Sequence, residues 1–309
     1  MRVATVDIGT NTVLLLVAER NPQGVLIAVE EQATITRLGE GVDRTRHLLP
    51  AAIERTTACL DEYARRVAAL GVDRVAVVGT SAMRDAGGGE AIRAHVRAAL
   101  GVEARVVSGD EEARLTFRGA LSGLPLEGHA EVTVFDIGGG STEVVTGLAG
   151  GANTVTFAES FDVGSVRLTE RHVVHDPPTS AECDAVVRAA RDAFASVPTM
   201  RAGRAPVGIA GTMTTLAAVS LELVPYDGVR VHGHTMSRAD LRGVVHRLAA
   251  LDVSSRRVVK GMEPKRADVI VAGGLIALAL LDHWDAEAVV ISDRGVRWGL
   301  AEQLTADSV

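Results

Sequence analysis

Val-Asp-Ile-Gly-Thr-Asn-Thr at residues 6–12 is echoed by Phe-Asp-Ile-Gly-Gly-Gly-Ser at residues 135–141. In both stretches an apolar, strand-like run reaches an aspartate and continues into a turn of glycine and small polar residues. Asp136 follows Asp7 by about one domain length of chain. An element repeated at that distance predicts two related domains.

The sequence around each stretch predicts three hairpin-like strands, followed by alternating helices and strands. The strands are predicted at residues 3–8, 12–19 and 25–36, and again at 131–137, 141–147 and 153–159, the last two joined by a turn at Gly150 and Gly151. This pattern, present twice, indicates an α/β fold with an internal structural repeat. Residues 122–130 contain Gly and Pro without periodicity, so we predict domains over residues 1–125 and 126–294.

Composition excludes several classes of protein. The chain has 309 residues, of which 47% are hydrophobic and 23% charged, so a sizeable core can form and disorder is excluded. Its net charge of -7 argues against a dedicated nucleic-acid-binding or membrane-surface protein, because both partners are polyanionic. Lysine occurs only at Lys260 and Lys265, neither in a Gly-Lys-Ser/Thr sequence, which excludes a P-loop. His232 and His234 hint at a metal site, but no third ligand is evident nearby.

Cysteine usage and apolar runs predict a cytoplasmic protein. Cys59 and Cys183 lie far apart and form no Cys-x-x-Cys motif, so neither a zinc site nor a disulfide framework is indicated. The N-terminus begins with a strand pattern that contains Asp7 and does not resemble a signal peptide. The longest apolar run, residues 269–281, is shorter than the roughly 18 residues that a spanning helix needs. We therefore expect no membrane insertion.

The glycine turns of the two stretches suit phosphate groups. Glycine lets backbone N–H groups approach an oxyanion closely, and the flanking polar side chains add hydrogen-bond donors. Asp7 and Asp136 would repel bare phosphate, so a divalent cation, Mg²⁺ or Mn²⁺, is expected between carboxylate and phosphate. Each turn alone is better explained as a tight hairpin capped by its Asp, but their paired occurrence at domain spacing favours two phosphate-binding loops across an interdomain cleft. The predicted loop residues are Gly9, Thr10, Asn11 and Thr12, with Gly138, Gly139, Gly140, Ser141 and Thr142.

Two further Gly-Thr pairs follow predicted strands. Gly211 and Thr212 precede a helix whose N-terminus can bind an anion, although an ordinary helix cap explains them as well. The earlier pair, Gly79 and Thr80, is followed by Arg84, which lies in a post-strand loop of the kind where binding groups concentrate. A surface arginine paired with Asp85 is an equally good interpretation of Arg84. Arg167, on a predicted helix, either lines an anionic path or belongs to a solvated face.

Acidic residues occupy the start of a predicted helix near residue 108. Ser108 and Glu111 have capping-box spacing, which gives Glu111 a structural role. Glu112 lies at the edge of the apolar face of this helix, but composition alone does not select it from its acidic neighbours. Strand alternation predicts that Glu143 lies on the same face as Ser141 and hence beside Asp136, the alternative being an exposed strand glutamate.

Seven segments, in order, resemble the exopolyphosphatase/guanosine pentaphosphate phosphohydrolase family of the actin–hexokinase–heat-shock-chaperone superfamily. They lie at residues 6–12, 80–86, 108–114, 136–143, 164–170, 210–215 and 292–297, and the resemblance covers nearly the whole chain. The Arg-rich, Lys-poor usage resembles the short actinobacterial exopolyphosphatases. The resemblance implies two ribonuclease-H-like (actin-like ATPase) domains with a central cleft. It also implies a closing helix at about residues 295–309 that packs on the first domain, and a homodimer.

The resemblance also implies roles for individual residues. Glu112 matches the catalytic base of the family, and Asp136 and Glu143 match residues that assist metal and water. Arg84 matches a substrate-binding arginine. Thr12 stands where serine is commoner, and the hydroxyl is retained.

We therefore predict metal-dependent release of terminal orthophosphate from inorganic polyphosphate, with Glu112, Asp136 and Glu143 as catalytic residues. Asp7, Asp136 and Glu143 are the predicted metal ligands. Short chains are expected to be preferred, because larger family members carry additional C-terminal domains. The alternative substrate is guanosine pentaphosphate, attacked at its 5′-γ-phosphate. A kinase of the same superfamily and a non-catalytic polyphosphate or nucleotide sensor are the remaining interpretations.

Overall fold

The computed structural model describes residues 1–124, 130–149, 155–201 and 203–306. The chain divides into two compact units. Unit 1 comprises Met1–Gly119 and the C-terminal segment from Val296, and unit 2 comprises Ala120–Gly295. The domain boundary predicted at residues 125 and 126 and the turn predicted at Gly150 and Gly151 lie outside the described residues.

Unit 1 contains a five-stranded sheet and the helices that follow its strands. Its strands are β1 (Arg2–Ile8), β2 (Thr12–Arg20), β3 (Leu26–Ile35), β4 (Arg74–Gly79) and β5 (Ala104–Val106). Its helices are α1 (Val42–Thr45), α2 (Pro50–Ala69), α3 (Ser81–Asp85), α4 (Gly89–Leu100) and α5 (Gly109–Leu121), the last of which runs two residues past the unit boundary. The strand order is β3-β2-β1-β4-β5. β1, β2 and β3 pair antiparallel, whereas β1, β4 and β5 are parallel. The carboxyl ends of these three parallel strands therefore share one edge of the sheet.

Helix α2 shows how the sequence fixes this layer. Pro50 occupies the first helical turn, where its missing N–H costs no hydrogen bond. Apolar residues recur on the face that packs against the sheet. The Tyr63 hydroxyl on that face is 3.0 Å from the carbonyl oxygen of Val13 and 2.9 Å from Thr34 Oγ1. The buried phenol thus ties the helix to β2 and β3, and burial raises the pKa of Tyr63 above its ordinary value.

Unit 2 repeats this arrangement with an additional edge strand. Its strands are β6 (Glu131–Ile137), β7 (Thr142–Leu148), β8 (Val155–Phe161), β9 (Val207–Ile209), β10 (Thr235–Ser237) and β11 (Ala288–Ile291), and its helices are α6 (Ser165–His172), α7 (Ser180–Ala193), α8 (Ala210–Ser220), α9 (Gly228–Val231), α10 (Arg238–Ala249), α11 (Val253–Arg256) and α12 (Ile270–His283). The strand order is β10-β11-β9-β6-β7-β8. β6, β7 and β8 pair antiparallel, whereas β6, β9 and β11 are parallel.

The pairing register confirms the predicted structural repeat. Asp7 on β1 is paired with Leu14 on β2 and with Val78 on β4. Asp136 on β6 is paired with Glu143 on β7 and with Ile209 on β9. Each aspartate therefore occupies the same position on a central strand, between an antiparallel and a parallel neighbour. Two related α/β units, predicted from the sequence, are thus present.

The last helix, α13 (Val296–Ala306), completes unit 1. Trp298, which is 1% exposed, lies in an apolar cluster with Val3 of β1 and Leu16 of β2. A Cβ built on Gly299 would lie 2.0 Å from the carbonyl oxygen of Leu115 in α5, so only glycine permits this close helix approach. α13 therefore packs against both the sheet and α5.

Some element boundaries and short elements differ from the sequence predictions. The apolar run at residues 269–281 forms the helix α12, which begins at Ile270 and follows a 3₁₀ turn at Pro264–Arg266. The sequence places His232 and His234 two residues apart, as on one side of an extended segment, but the segment around them is not one strand. His232 ends the short helix α9, and Gly233 follows with a φ of +80° before β10 begins. Such short elements lack enough residues to show a periodicity.

No helix in the described part of the chain is both long and apolar enough to cross a membrane.

Candidate active site

The turn after β1 directs its carbonyl groups toward the segment that follows β3. The Gly9 N–H donates to the carbonyl oxygen of Thr12 over 3.1 Å, which closes the turn. The Thr10 carbonyl accepts from the Gly39 N–H at 2.8 Å, and the Asn11 carbonyl accepts from residues 36 and 37 at 3.1 and 3.0 Å. Because the C=O and the following N–H of a trans peptide point in opposite directions, the Asn11 N–H is directed away from this segment.

Asn11 also carries a buried side-chain donor. The residue is 5% exposed, and its Nδ2 has no hydrogen-bond partner among the described residues. A buried amide donor in this situation costs free energy unless a ligand or water accepts from it. Asn11 therefore adds a side-chain donor to the N–H groups of this turn.

The turn after β6 is held by the start of α6. The Gly138 carbonyl accepts from the Ser165 N–H at 2.9 Å, and the Gly139 carbonyl accepts from the Arg167 N–H at 3.1 Å. The Gly140 carbonyl accepts from Arg167 Nε at 2.5 Å. All three consecutive carbonyl groups are thus directed toward one helix.

The same peptide geometry directs three N–H groups away from α6. These belong to Gly139, Gly140 and Ser141, and consecutive N–H groups of this kind form an anion-binding concavity. Gly164 makes the arrangement possible, since a Cβ there would lie 2.4 Å from the Gly139 carbonyl oxygen. The second turn therefore has the geometry of an oxyanion site.

Several predicted binding residues use their polar atoms within the protein. Arg167 is 5% exposed and holds the Gly140 carbonyl. The Thr142 hydroxyl donates to the Val163 carbonyl at 2.6 Å, and the Thr212 hydroxyl donates to the Ile137 carbonyl at 3.0 Å. These three side chains hold backbone carbonyl groups in and near the second turn. Their role in binding substrate stays a prediction.

Asp136 and Glu143 are direct cross-strand partners. Side chains in that relation have Cβ atoms about 4.5–5.5 Å apart on one face of the sheet. Glu143 is 1% exposed and accepts a hydrogen bond from Ser160 Oγ at 2.7 Å. Two like charges placed directly opposite destabilise a sheet unless something compensates them.

The three acidic residues that begin α5 have different environments. Asp110 is exposed. Glu111 forms an ion pair with Arg105 through its carboxylate, while its N–H donates to Ser108 Oγ at 3.2 Å. The capping box predicted here is therefore only half formed, because Arg105 binds the carboxylate that would have returned to the N-terminus. Glu112 is buried, so its environment differs from those of Asp110 and Glu111.

Glu112 forms an ion pair with Arg84. The distance from Arg84 Nη1 to Glu112 Oε2 is 2.9 Å, and the same Nη1 donates to the Val107 carbonyl at 3.3 Å. Asp85 lies farther from Arg84, at 3.5 Å from its Nε. The pairing with Asp85 considered from the sequence is therefore present, but Arg84 also pairs with Glu112 at a shorter distance. The main partner of Arg84 is the buried glutamate of α5.

The model of the Ppx/GppA phosphatase family matches residues 16–306 of the chain. The chain belongs to this family.

Relatives and solved structures agree with this membership. Exopolyphosphatase 2 of Mycobacterium tuberculosis is 37% identical over 98% of this chain and 98% of its own length. The crystal structure of an exopolyphosphatase-like protein has a TM-score of 0.91 at 33% identity, covering 100% of both chains. The Aquifex aeolicus Ppx/GppA family member has a TM-score of 0.83 at 32% identity, covering 100% of this chain and 99% of that one. The fold is therefore the actin-like ATPase fold of Ppx/GppA phosphatases.

Within each unit of this Ppx/GppA chain, the predicted residues gather at one sheet edge. In unit 1, Asp7 lies at the end of β1, Arg84 follows β4, and Glu112 follows β5. In unit 2, Asp136 lies at the end of β6, and Gly211 follows β9. Carboxyl ends of parallel strands are where ligands bind in open α/β sheets.

The sequence analysis did not identify Arg266, an arginine that lies beside Gly211. A Cβ built on Gly211 would lie 2.1 Å from the Arg266 guanidinium carbon, so this glycine gives the arginine room. Arg266 thereby places its charge beside the first turn of α8. Only the glycine after β9 hinted at such an approach.

The carboxylates of the Ppx/GppA site fit a hard divalent cation. Within the ranges that the structure describes, no three His, Cys, Asp or Glu side chains are placed to hold a metal ion together. Mg²⁺, however, is commonly held by one or two carboxylates, with phosphate oxygens and waters completing its coordination. The Asp136–Glu143 pair supplies these two carboxylates. His232 does not belong to this set, since its Nδ1 is 3.1 Å from Asp293 Oδ1.

Proposed function

We propose that the chain is an exopolyphosphatase, which releases terminal orthophosphate from inorganic polyphosphate by hydrolysis of the phosphoanhydride bond. The observation that carries this proposal is the second turn, with three consecutive N–H groups beside the Asp136–Glu143 carboxylate pair. An anion site next to a cation site suits a phosphate chain neutralised by a divalent metal. The name of the Mycobacterium tuberculosis relative supports the same substrate class.

The two turns each bind a phosphate group of the substrate in this proposal. In the first turn, the Asn11 N–H and its buried side-chain amide are the donors. In the second, the donors are the N–H groups of residues 139–141. Arg84 adds a guanidinium, whose fork of N–H groups matches phosphate oxygens. These fixed donors stabilise the charge that the reaction moves onto the leaving phosphate.

Glu112 is the general base of the proposed reaction. Its carboxylate accepts a proton from the attacking water, which then bonds to the terminal phosphorus while the bridging oxygen leaves with the rest of the chain. General-base catalysis of this kind typically contributes about 10²–10⁴-fold to the rate. Glu112 is the acidic residue of α5 that is both buried and paired with a cation.

Asp136 and Glu143, direct partners on β6 and β7, are the proposed carboxylate ligands of Mg²⁺ or Mn²⁺. Such an ion supplies charge neutralisation to the phosphate oxygens when bound. The Ser160 hydroxyl holds one oxygen of Glu143 and so orients that carboxylate.

Glu143→Gln is expected to raise the Mg²⁺ concentration needed for half-maximal phosphate release by about 10–100-fold, the loss typical of a damaged metal environment. Titrating Mg²⁺ at saturating substrate measures this change. Glu131→Gln is the matched control, because Glu131 begins the same hairpin but is exposed. An unchanged Mg²⁺ requirement in Glu143→Gln would remove this carboxylate from the metal site.

The function itself is tested by phosphate release from polyphosphates of defined length, with and without Mg²⁺. We expect release of one phosphate at a time that depends on the metal and requires no acceptor molecule. Dependence on an added acceptor would indicate a kinase, and binding without release would indicate a sensor. Comparing chains of different length also tests the expected preference for short chains.

Guanosine pentaphosphate is the competing substrate in the same assay. Its base and sugar need contacts that polyphosphate does not, and aromatic residues, the usual stacking partners, make up 3% of this chain. We expect kcat/KM to be higher for short polyphosphate. A higher kcat/KM for the nucleotide would reverse the assignment.

A further inference from the structure

The Arg84–Glu112 ion pair joins two residues whose proposed tasks conflict. Arg84 is needed for phosphate, yet its Nη1 is 2.9 Å from Glu112 Oε2. Glu112 is needed as a proton acceptor, yet a carboxylate beside a guanidinium is stabilised in its charged form and accepts a proton less readily. The Glu112 side chain is 8% exposed and that of Arg84 is 25% exposed, so water screens this pair poorly.

The pair connects a short helix to a longer and better packed one. Arg84 lies on α3, a helix of five residues, whereas Glu112 lies on the longer α5, which is packed against α13. Asp85 on α3 also pairs with Arg84, at 3.5 Å from its Nε, and Glu111, the residue before Glu112, is paired with Arg105. A phosphate group carries more negative charge than one carboxylate and presents more acceptor oxygens to the arginine fork.

We propose that the Arg84–Glu112 ion pair is a latch that the substrate opens. An entering phosphate group takes the guanidinium N–H groups from Glu112, and the released carboxylate becomes the base for the attacking water. The base is therefore restrained while no substrate is bound and released when the phosphate arrives. This inference rests on the proposed function, since it assigns a trigger to the same site.

A double-mutant cycle on binding tests the latch without any turnover. The probe is methylenebis(phosphonate), a P–C–P analogue that has no phosphoanhydride bond to cleave, added with Mg²⁺ and followed by titration calorimetry. We expect Glu112→Gln to tighten binding, because Arg84 no longer has to leave a carboxylate. The tightening is expected to be about ten times larger with Arg84 present than in the Arg84→Gln background, a coupling within the range for contacting residues.

A control variant distinguishes the latch from simple charge repulsion between a carboxylate of α5 and the anionic probe. Glu111→Gln removes the same charge one position earlier, where Arg105 is the partner, and its effect should be the same with or without Arg84. If Glu112→Gln tightens binding equally in both backgrounds, or not at all, the latch is wrong. Arg84→Met, which also removes the charge, replaces Arg84→Gln in the cycle if the latter does not fold.

The outcomes of the two proposals can be told apart. If the cycle shows the coupling but no substrate releases phosphate, the latch holds as a binding device and the exopolyphosphatase assignment fails. If phosphate is released but the cycle shows no coupling, the assignment holds and the latch fails. Absence of detectable probe binding to both wild type and Glu112→Gln also counts against the latch.

Discussion

Glu112→Gln is expected to lower kcat for phosphate release from polyphosphate by about 10²–10⁴-fold, the usual contribution of a general base. Glutamine keeps the size of the side chain and a polar contact to Arg84 but has no negative charge with which to accept a proton. The fold should survive, because the substitution is nearly isosteric at a site that is 6% exposed. Steady-state phosphate release at saturating substrate and Mg²⁺ measures the loss.

The neighbouring Glu111→Gln supplies the control for this experiment. Glu111 has the same chemistry and lies one position earlier, but its carboxylate pairs with Arg105 near the surface. Its replacement should leave kcat unchanged and cost at most about 1 kcal/mol of unfolding free energy, as for other exposed ion pairs. If Glu111→Gln were the inactive variant and Glu112→Gln the active one, the base would be assigned to the wrong residue.

Gly164→Ala is expected to lower kcat/KM by about 10²-fold, the effect that a misplacement of 1 Å can have on a reacting group. A methyl group at this position would lie 2.4 Å from the Gly139 carbonyl oxygen and 2.6 Å from the Gly140 carbonyl carbon. Both contacts are with backbone, so the second turn must move away from α6. Its three N–H groups would then no longer converge on a phosphate oxygen.

Gly243→Ala is the matched control for Gly164→Ala. Gly243 is exposed in the middle of α10, and a Cβ there meets nothing within 4 Å. Alanine should therefore raise the unfolding free energy by up to about 1 kcal/mol through helix propensity, with no change in kcat/KM. Thermal unfolding and phosphate release, measured on both variants, distinguish a displaced second turn from an unfolded protein. Full activity in Gly164→Ala would show that the second turn does not hold the substrate.

The two-unit α/β architecture could be predicted from sequence because its signals are local. Alternating apolar residues and glycine turns are visible within a few residues, and the Asp-Ile-Gly stretch is short enough to be recognised where it recurs one domain length later. Alternation also predicted that Glu143 faces the same side of the sheet as Asp136, and the register makes them direct partners.

What the sequence could not supply are the contacts that depend on tertiary packing. Arg84 and Glu112 are brought together only because β4 and β5 are parallel neighbours, which orders the elements that follow them. The choice of Glu112 over Glu111 likewise depends on which carboxylate Arg105 binds. The hydrogen bond from Arg167 Nε to the Gly140 carbonyl is another such contact, which no local pattern in the sequence indicates.

The packing of α13 has a consequence for biosynthesis. Unit 1 obtains its final helix from residues at the end of the chain, and Trp298 fills its core between β1 and β2. A ribosome therefore synthesises all of unit 2 before the first unit can close its hydrophobic layer. Until then the apolar face that includes Val3 and Leu16 is uncovered, which makes a chain truncated before Trp298 a candidate for chaperone binding and aggregation.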